Sequence, residues 1–278
     1  MISVIILYYN DRFYIQEAVH SVLNQTLLPA QIMIVDNGST DGGLREFENN
    51  SSIKILRLAK NQNLGFARNY GLRKVHTDFV AFLDSDDVWY SNKIERIMPI
   101  LENPDIHYIH SNFVRINGEG CRISFGQIAG LEGSCSEEHF KMGPNTIGPP
   151  STIIGRTSSI KKVGGFNNLL SISADWDLSQ RMARNYRITY CPEILVSYRV
   201  HSNNLSRNID LYFSEMTKTL THIYVNFKVN EYDYRYAKSK LNLIMAGELW
   251  NQRQPRFLKY LLFSFLLAPR VIYHRIFG

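Results

Sequence analysis

Apolar positions fall into two alternating patterns over the first half of the chain. Ile2–Leu7, Gln31–Asp36, Ile53–Leu58 and Phe79–Asp84 are short runs rich in Ile, Val, Leu and Phe, which reads as strands buried on both faces. Helical spacing separates them. Tyr14–Asn24 is apolar at 15, 18, 19, 22 and 23, Asp41–Glu48 predicts a short helix, and Phe66–Val75 predicts a third. Strands alternating with helices predict an α/β domain with a mostly parallel sheet flanked by helices. Ligands bind such sheets at the carboxyl ends of the strands. Polar clusters stand at those ends: Tyr9-Asn10-Asp11, Asp36-Asn37-Gly38-Ser39 and Asp84-Ser85-Asp86-Asp87.

A helix over Asn92–Leu101 and a strand over His107–Ile116 follow. Residues 117–150 are glycine-rich and read as irregular, either a functional loop or disordered. Beyond it the pattern predicts a strand near Thr152–Ile154, a short helix ending at Gly164-Gly165, a helix over Ala174–Asn185 and a strand over Ile194–Val200. From Leu211 onward only helices are expected. This places a domain boundary near residue 206, with a helical region over 207–278. No internal repeat is evident.

Composition narrows the class. The chain has 278 residues, 45% of them in the apolar set and 20% charged, which is globular rather than disordered. Cys121, Cys135 and Cys191 are too scattered for a disulfide framework or a Cys-rich zinc site, and a reducing compartment is the simpler reading. The opening residues lack the basic segment and cleavage site of a signal peptide. No run reaches the ~18–20 apolar residues needed to span a bilayer. The phosphate loop G-x-x-x-x-G-K-[ST] and the H-E-x-x-H and G-x-S-x-G motifs do not occur, and Gly118-x-Gly120 lacks the third glycine of a dinucleotide fingerprint. A nucleic-acid binder would show a basic stripe with interleaved aromatics, whereas the first domain offers clustered aspartates, so no nucleic-acid partner is expected.

That cluster is the main chemical signal. Period-two alternation puts Asp84 and Asp86 on one side of the backbone. A divalent cation, Mg²⁺ or Mn²⁺, relieves repulsion among Asp84, Asp86 and Asp87 and prefers oxygen ligands. The alternative is an Asp-rich turn capping the next helix.

Together the motifs resemble those of family 2 glycosyltransferases of the GT-A fold. S-V-I-I-L-Y-Y-N with E-A-V-H-S-V-L-N-Q-T is similar to the first strand and helix of that family. I-V-D-N-G-S-T-D-G (34–42), N-L-G-F-A-R-N-Y-G (63–71), F-L-D-S-D-D-V-W (82–89), V-G-G-F (163–166) with A-D-W-D-L-S-Q-R-M-A (174–183), and Y-R-V-H-S-N-N-L-S (198–206) follow in the family's order. The resemblance covers about residues 1–206. It implies a nucleotide-diphosphate-sugar donor, a divalent metal and inversion at the anomeric carbon, within a nucleotide-diphospho-sugar transferase fold carrying a helical C-terminal extension.

The site residues carried over follow from that resemblance. Asp84 and Asp86 form the D-x-D motif, with Asp86 the first choice for direct metal ligation and Asp87 adjacent. Tyr9 matches the position whose ring stacks on the base. Asp36-Asn37 stands where two aspartates are commoner. Asn37 retains an acceptor and a donor for a pyrimidine edge, which leaves a UDP-sugar and dTDP-rhamnose both open. Ser85 falls inside the donor-binding motif. Arg68 reads either as a phosphate contact or as a solvated helix charge. Arg199 and His201 match the closing block, where His201 serves phosphate or metal or is structural. Asp175 matches the catalytic base; the alternative is a first-turn acid favoured by the helix dipole. Trp89 and Trp176 read either as sugar-stacking or as core residues.

The C-terminal stretch Phe257–Ala268 is apolar and flanked by Arg253, Arg256, Arg270 and Arg275, with Lys259 within it and no acid after Glu248. It reads as an interfacial segment on an anionic membrane, with Tyr260 and Tyr273 at headgroup depth, or as a packed helix with basic ends. These five cations account for most of the net +6, leaving +1 over residues 1–248. The expectation is an enzyme peripheral on the cytoplasmic face of a bacterial membrane. It would transfer a hexose or N-acetylhexosamine to a saccharide or polyprenyl-diphosphate-linked acceptor in O-antigen or capsule synthesis. A non-catalytic sugar-nucleotide or glycan-binding module is the alternative from another class; an acceptor-side base argues against it.

Overall fold

The computed structural model describes residues 1–126, 130, 132–133, 135–143 and 147–269. Internal contacts divide the chain into two units, Met1–Cys135 with Asn145–His201, and Ser136–Pro144 with Ser202–Gly278.

The first unit is built on one mixed sheet. β1 (Ile2–Tyr8), β2 (Gln31–Asp36), β3 (Ile53–Arg57) and β4 (Phe79–Asp84) run parallel in the order β3-β2-β1-β4. The sheet continues through β8 (Ile153–Arg156), antiparallel to β4, then β6 (Ile106–Ile116), β9 (Arg187–Arg199) and the short β5 (Val88–Trp89). β7 (Arg122–Gly126) pairs with β6 off this path. The sheet is therefore less parallel than expected, because β8 enters against its neighbours.

Alternation along the strands builds a core on each face. Ile2, Val4, Ile6 and Tyr8 of β1 and Phe79, Ala81 and Leu83 of β4 face one side, against α1 (Ile15–Leu23) and α3 (Lys93–Leu101). Ile5, Leu7, Val80 and Phe82 face the other, with α2 (Leu64–Leu72), α5 (Thr157–Lys162) and α6 (Ala174–Asn185). Strand order reverses direction of travel at β1 and β4, so their carboxyl ends form the switch point where such sheets bind ligands. Leu7 pairs with Asp84 and Tyr8 with Asp36, which brings the three polar clusters to one mouth.

Three expectations change. The helix over Asp41–Glu48 is only a 3-10 turn at Arg45–Phe47. Gly42 sits at φ +70, outside the right-handed helical region, and a side chain at Gly43 would collide with the Tyr8 hydroxyl. The strand expected over Ile194–Val200 begins at Arg187; its register against β6 shifts around Asn112, whose amide donates to the Pro192 carbonyl. Proline lacks the ladder donor, so a bulge there is the physical outcome. The 117–150 stretch, expected to be irregular, contains β7 and α4 (Ser136–Met142).

In the second unit, α7 (Ile209–Phe227) and α8 (Glu231–Asn251) are each N-capped by an asparagine, Asn208 to the Leu211 N–H and Asn230 to the Asp233 N–H. α4 contributes Lys141, which pairs with buried Asp233 at 3.2 Å. α9 (Phe257–Leu267) packs on α8. Among the described residues no helix is long and apolar enough to cross a membrane. Arg270, Tyr273 and Arg275 lie outside the described residues.

Candidate active site

The ends of β1 and β2 are cross-tied before any ligand arrives. Asn10 adopts a left-handed φ of 50; its N–H donates to Ser39 Oγ at 3.0 Å and its Oδ1 accepts from the Thr40 N–H at 2.8 Å. Asp41 accepts from the Tyr8 hydroxyl and from the Arg12 N–H. This scaffold leaves the Tyr9 ring 42% exposed at the mouth, available for a planar ring to stack against.

Asn37 does not face that mouth. It is fully buried, and its amide donates to Asn61 Oδ1 (2.8 Å) and the Gln62 carbonyl (2.9 Å) while Oδ1 accepts from the Gln62 N–H (3.0 Å). The expected base contact is thus corrected: Asn37 is fully buried and fixes the 61–62 turn, with both amide donors and one acceptor site of Oδ1 engaged there. Asp36 is also buried; its Oδ1 accepts from the Ser39 N–H at 2.8 Å, and Arg57 Nε stands 3.8 Å from Oδ2.

The three aspartates after β4 separate. Asp84 ends the strand, residues 85 and 86 form a turn, and the period-two alternation stops. Asp84 is partly exposed and accepts from the Arg68 guanidinium of α2 at 2.7 Å. Burial raises its pKa, opposed by Arg68. Asp86 Oδ2 lies 3.0 Å from His201 Nε2, and this hydrogen bond raises the His201 pKa. The His201 ring packs 5.0 Å from that of Tyr14.

Asp87 is corrected as a metal ligand. It is fully buried; Oδ2 accepts from Ser151 Oγ and Oδ1 from the Arg199 N–H at 2.9 Å. Burial, then Asp86 and Asp84, push its pKa well up. Ser151 Oγ also accepts from the Asp84 N–H at 3.1 Å, so one hydroxyl links two members of the cluster.

Arg199 is corrected as a phosphate contact. It is 1% exposed, and its guanidinium donates to the backbone carbonyls of Asp86 (2.8 Å) and Gly118 (3.0 Å) and to the Glu17 carboxylate. It holds the Asp86 turn in place. Arg68 fits neither expected reading. It is buried, paired with Asp84, and its Nε has no hydrogen-bond partner among the described residues. Ser85 is buried as well, and its hydroxyl donates to Asp11 Oδ2 at 2.9 Å. Trp89 and Trp176 are core residues, Trp89 donating from Nε1 to the Ser151 carbonyl, so neither offers a stacking face.

Asp175 opens α6 and retains partial exposure; its Oδ1 accepts from the Trp176 N–H at 2.8 Å. Burial raises its pKa to about 6, with Arg68 opposing and Asp84 adding to the rise. The segment leading to it is held against α2: the Gly65 N–H donates to the Leu170 carbonyl at 2.9 Å, and a Cβ at Gly65 would lie 2.1 Å from the Asn167 carbonyl oxygen. Only glycine allows that approach.

Asp11, Glu17 and Ser151 belong to this network and were not among the expected site residues. Asp11, raised to about 6 by burial and then by Asp86, was signalled by its place at the end of β1. Glu17 and Ser151 carry no local signal, since their partners are 182 and 64 residues away.

Among the described residues no three His, Cys, Asp or Glu side chains converge into a self-contained metal site. The Asp86–His201 pair still fits a divalent cation that completes its shell with phosphate oxygens and water, as Mg²⁺ and Mn²⁺ do.

The family described as glycosyl transferase family 2 matches residues 3–164. A glycosyltransferase of Nostoc sp., itself uncharacterized, is 31% identical over 211 residues, 73% of this chain and 66% of that protein. A putative teichuronic acid biosynthesis glycosyltransferase, TuaG of Bacillus subtilis, is 41% identical over 100 residues, 34% of this chain and 40% of that one. The match spans about a third of the length of one Rickettsia relative and about two thirds of the Nostoc one, and from about a fifth to about four fifths across the curated relatives it matches. Among solved structures, Staphylococcus aureus TarS 1–349 in complex with UDP-GlcNAc superposes with a TM-score of 0.61 at 18% identity, covering 96% of this chain and 88% of that one. The mannosyltransferase PcManGT of Pyrobaculum calidifontis, in complex with GDP-Man and Mn²⁺, gives 0.66 at 16% identity, covering 99% and 81%. At these identities the two structures establish a shared fold.

Proposed function

The chain belongs to glycosyl transferase family 2, and on that premise we propose an inverting, metal-dependent transfer of a hexose or N-acetylhexosamine from a UDP-sugar. The acceptor is a saccharide or a polyprenyl-diphosphate-linked glycan, the pathway is bacterial surface polysaccharide synthesis, and the enzyme works at the inner face of the cytoplasmic membrane. The observation that carries the reading is the composition of the β1/β4 mouth. A carboxylate–imidazole pair, Asp86–His201, stands with an arginine-paired carboxylate, Asp84, and a raised carboxylate, Asp175.

Each residue has a distinct task. Tyr9 stacks on the base. Asp86 and His201 would hold a divalent cation, which when bound would neutralise charge on the donor diphosphate. Arg68 keeps Asp84 oriented and charged, and Arg199 keeps the Asp86 turn in place. Asp175 takes the proton from the acceptor hydroxyl as its oxygen bonds the anomeric carbon. The bond from that carbon to the diphosphate oxygen breaks, and its electron pair leaves with the nucleoside diphosphate. A base near pH 6 retains proton affinity while staying ionised at neutral pH.

A dTDP-rhamnose donor remains the second reading. With Asn37 turned away from the mouth, the residue that motivated it no longer separates the two pyrimidines. TarS with UDP-GlcNAc and PcManGT with GDP-Man and Mn²⁺ support a nucleotide-sugar donor and a divalent metal in this fold. The name of TuaG supports a cell-surface polymer. The test is turnover across a panel of sugar nucleotides with and without EDTA. Activity confined to UDP-sugars and abolished by EDTA is expected; metal-independent turnover refutes the role of Asp86 and His201.

A further inference from the structure

α9 is arranged inside out. Leu258, Leu262, Phe263, Phe265 and Leu266 are 44 to 59% exposed, while Ser264 is fully buried. Ser264 faces α8, where the Ser239 hydroxyl donates to its carbonyl at 2.7 Å. At 100° per residue, Phe265, Leu258, Leu262, Leu266 and Phe263 follow one another around a continuous arc of about 160°, with Lys259 inside it. A helix that only packed on its neighbour would turn these side chains inward and the serine outward. Contiguous exposed apolar surface of this kind marks an interaction site.

Charge identifies the occupant. No Asp or Glu follows Glu248, and residues 249–278 carry five Lys and Arg; Arg256 pairs with Asp210 of α7 at 3.1 Å, while Arg253 and Lys259 are exposed. A second copy of the same face would bring like charges together, whereas an anionic surface complements them. At the α8–α9 corner, Trp250, Arg253, Gln254 and Phe257 line an open cavity of about 590 Å³. Trp250 is largely exposed and edge-on to Phe257 at 4.8 Å. An exposed Trp beside an Arg at the end of an apolar stripe is the composition of a bilayer interface. Eleven residues of helix extend about 16 Å, half of a hydrocarbon core, so the helix lies in the plane of the interface and does not cross.

We infer that the outer face of α9, with the Trp250–Arg253 corner, is a monotopic docking surface for an anionic phospholipid bilayer. This deepens the proposed membrane position and rests on it for the meaning of the docking. Vesicle binding is read without donor or acceptor, so it stands or falls apart from transfer.

The experiment is vesicle co-flotation of the full-length protein with phosphatidylcholine alone and with about 30% phosphatidylglycerol, over roughly 0.05 to 0.5 M NaCl. Binding to the anionic vesicles at least about tenfold stronger than to the neutral ones, and weakened by salt, is expected. Leu262→Asp with Phe265→Asp should abolish binding while leaving the unfolding midpoint and transfer to a soluble acceptor unchanged. Leu262→Met with Phe265→Leu should retain it. Lys259→Gln should weaken it about fivefold. No flotation of the full chain, or equal flotation of the double Asp variant, overturns the inference. So does self-association in sedimentation that the double Asp variant removes without any vesicle binding, which would assign the face to a second copy.

Discussion

Replacing Asp175 with Asn separates catalysis from stability by opposite signs. Burial lifts this carboxyl from 3.8 to about 6, which corresponds to a ceiling of ~3 kcal/mol against the ionised form. Partial exposure and loss of a first-turn acid at the N-terminus of α6 reduce the usable amount to ~1–2 kcal/mol. The folded-state pKa is the higher one, so the folded state binds the proton more tightly. The wild-type protein is free of the penalty below pH 3.8, acquires it as pH rises, and carries it in full above about 6. Asparagine keeps an oxygen for the Trp176 N–H and removes the charge. The variant should therefore melt higher than wild type at pH 8, by about 2–4 °C per kcal/mol, and at the same temperature as wild type at pH 3.5. Transfer should fall by about 10²–10⁴-fold, while donor binding by calorimetry is unchanged. Wild-type kcat/KM should show an acid limb with a midpoint near 6, absent from any residual activity of the variant. Equal melting shifts at both pH values refute the burial argument, and retained transfer refutes the base assignment.

Four further residues probe the mouth and its scaffold. Tyr9→Ala should raise the donor KM by about 5- to 150-fold, as loss of ~1–3 kcal/mol of stacking predicts, with no change in urea midpoint; Tyr9→Phe should behave as wild type. Asn37→Asp replaces a donor to two oxygens with a carboxylate and should cost ~1–3 kcal/mol in urea unfolding without altering the preference between UDP- and dTDP-sugars; a switch in donor would return Asn37 to the base pocket. Asp87→Ala leaves the Ser151 hydroxyl and the Arg199 N–H without their buried acceptor and should cost ~2–4 kcal/mol. Asp86→Ala removes the hydrogen-bond partner of His201 but also a like charge beside Asp84 and Asp87, so it should cost less stability than Asp87→Ala while weakening Mn²⁺ binding measured by calorimetry.

The parallel half of the sheet was legible because buried strands need unbroken apolar runs. Gln31–Asp36 and Phe79–Asp84 match to the residue. β9 was only half legible: Thr189, Tyr190, Cys191 and Pro192 interrupt the alternation, and the bulge that absorbs Pro192 is a property of its pairing with β6. α4 and β7 were hidden by surrounding glycines. In the site, residue type located the mouth but not the direction of each side chain. Asp87 and Arg199 look like ligand contacts in any reading of type and position. Their burial follows from Ser151 and Glu17, which only folding brings near. Asn37 was misread for the same reason, since its partners Asn61 and Gln62 lie across the next β-α unit.

Three adjacent aspartates pose an electrostatic problem that one shared cation would solve, and the fold divides the problem. Asp84 is matched by the Arg68 guanidinium, Asp86 by His201, and Asp87 by a hydroxyl and a backbone N–H in a fully buried position. Because each already has its own partner, the cluster holds its shape without an ion, and under the proposed function a cation there would need to offset little beyond the diphosphate charge of a donor. Arg199 closes the arrangement: its backbone N–H donates to Asp87 and its side chain to the Asp86 carbonyl. One residue at the end of β9 thereby sets both the fully buried Asp87 and the partly buried Asp86, with His201 two positions further on to meet Asp86. The D-x-D turn is therefore preorganised by a strand far away in sequence. This is how the closing Y-R-V-H block shapes the proposed site even though its arginine is buried.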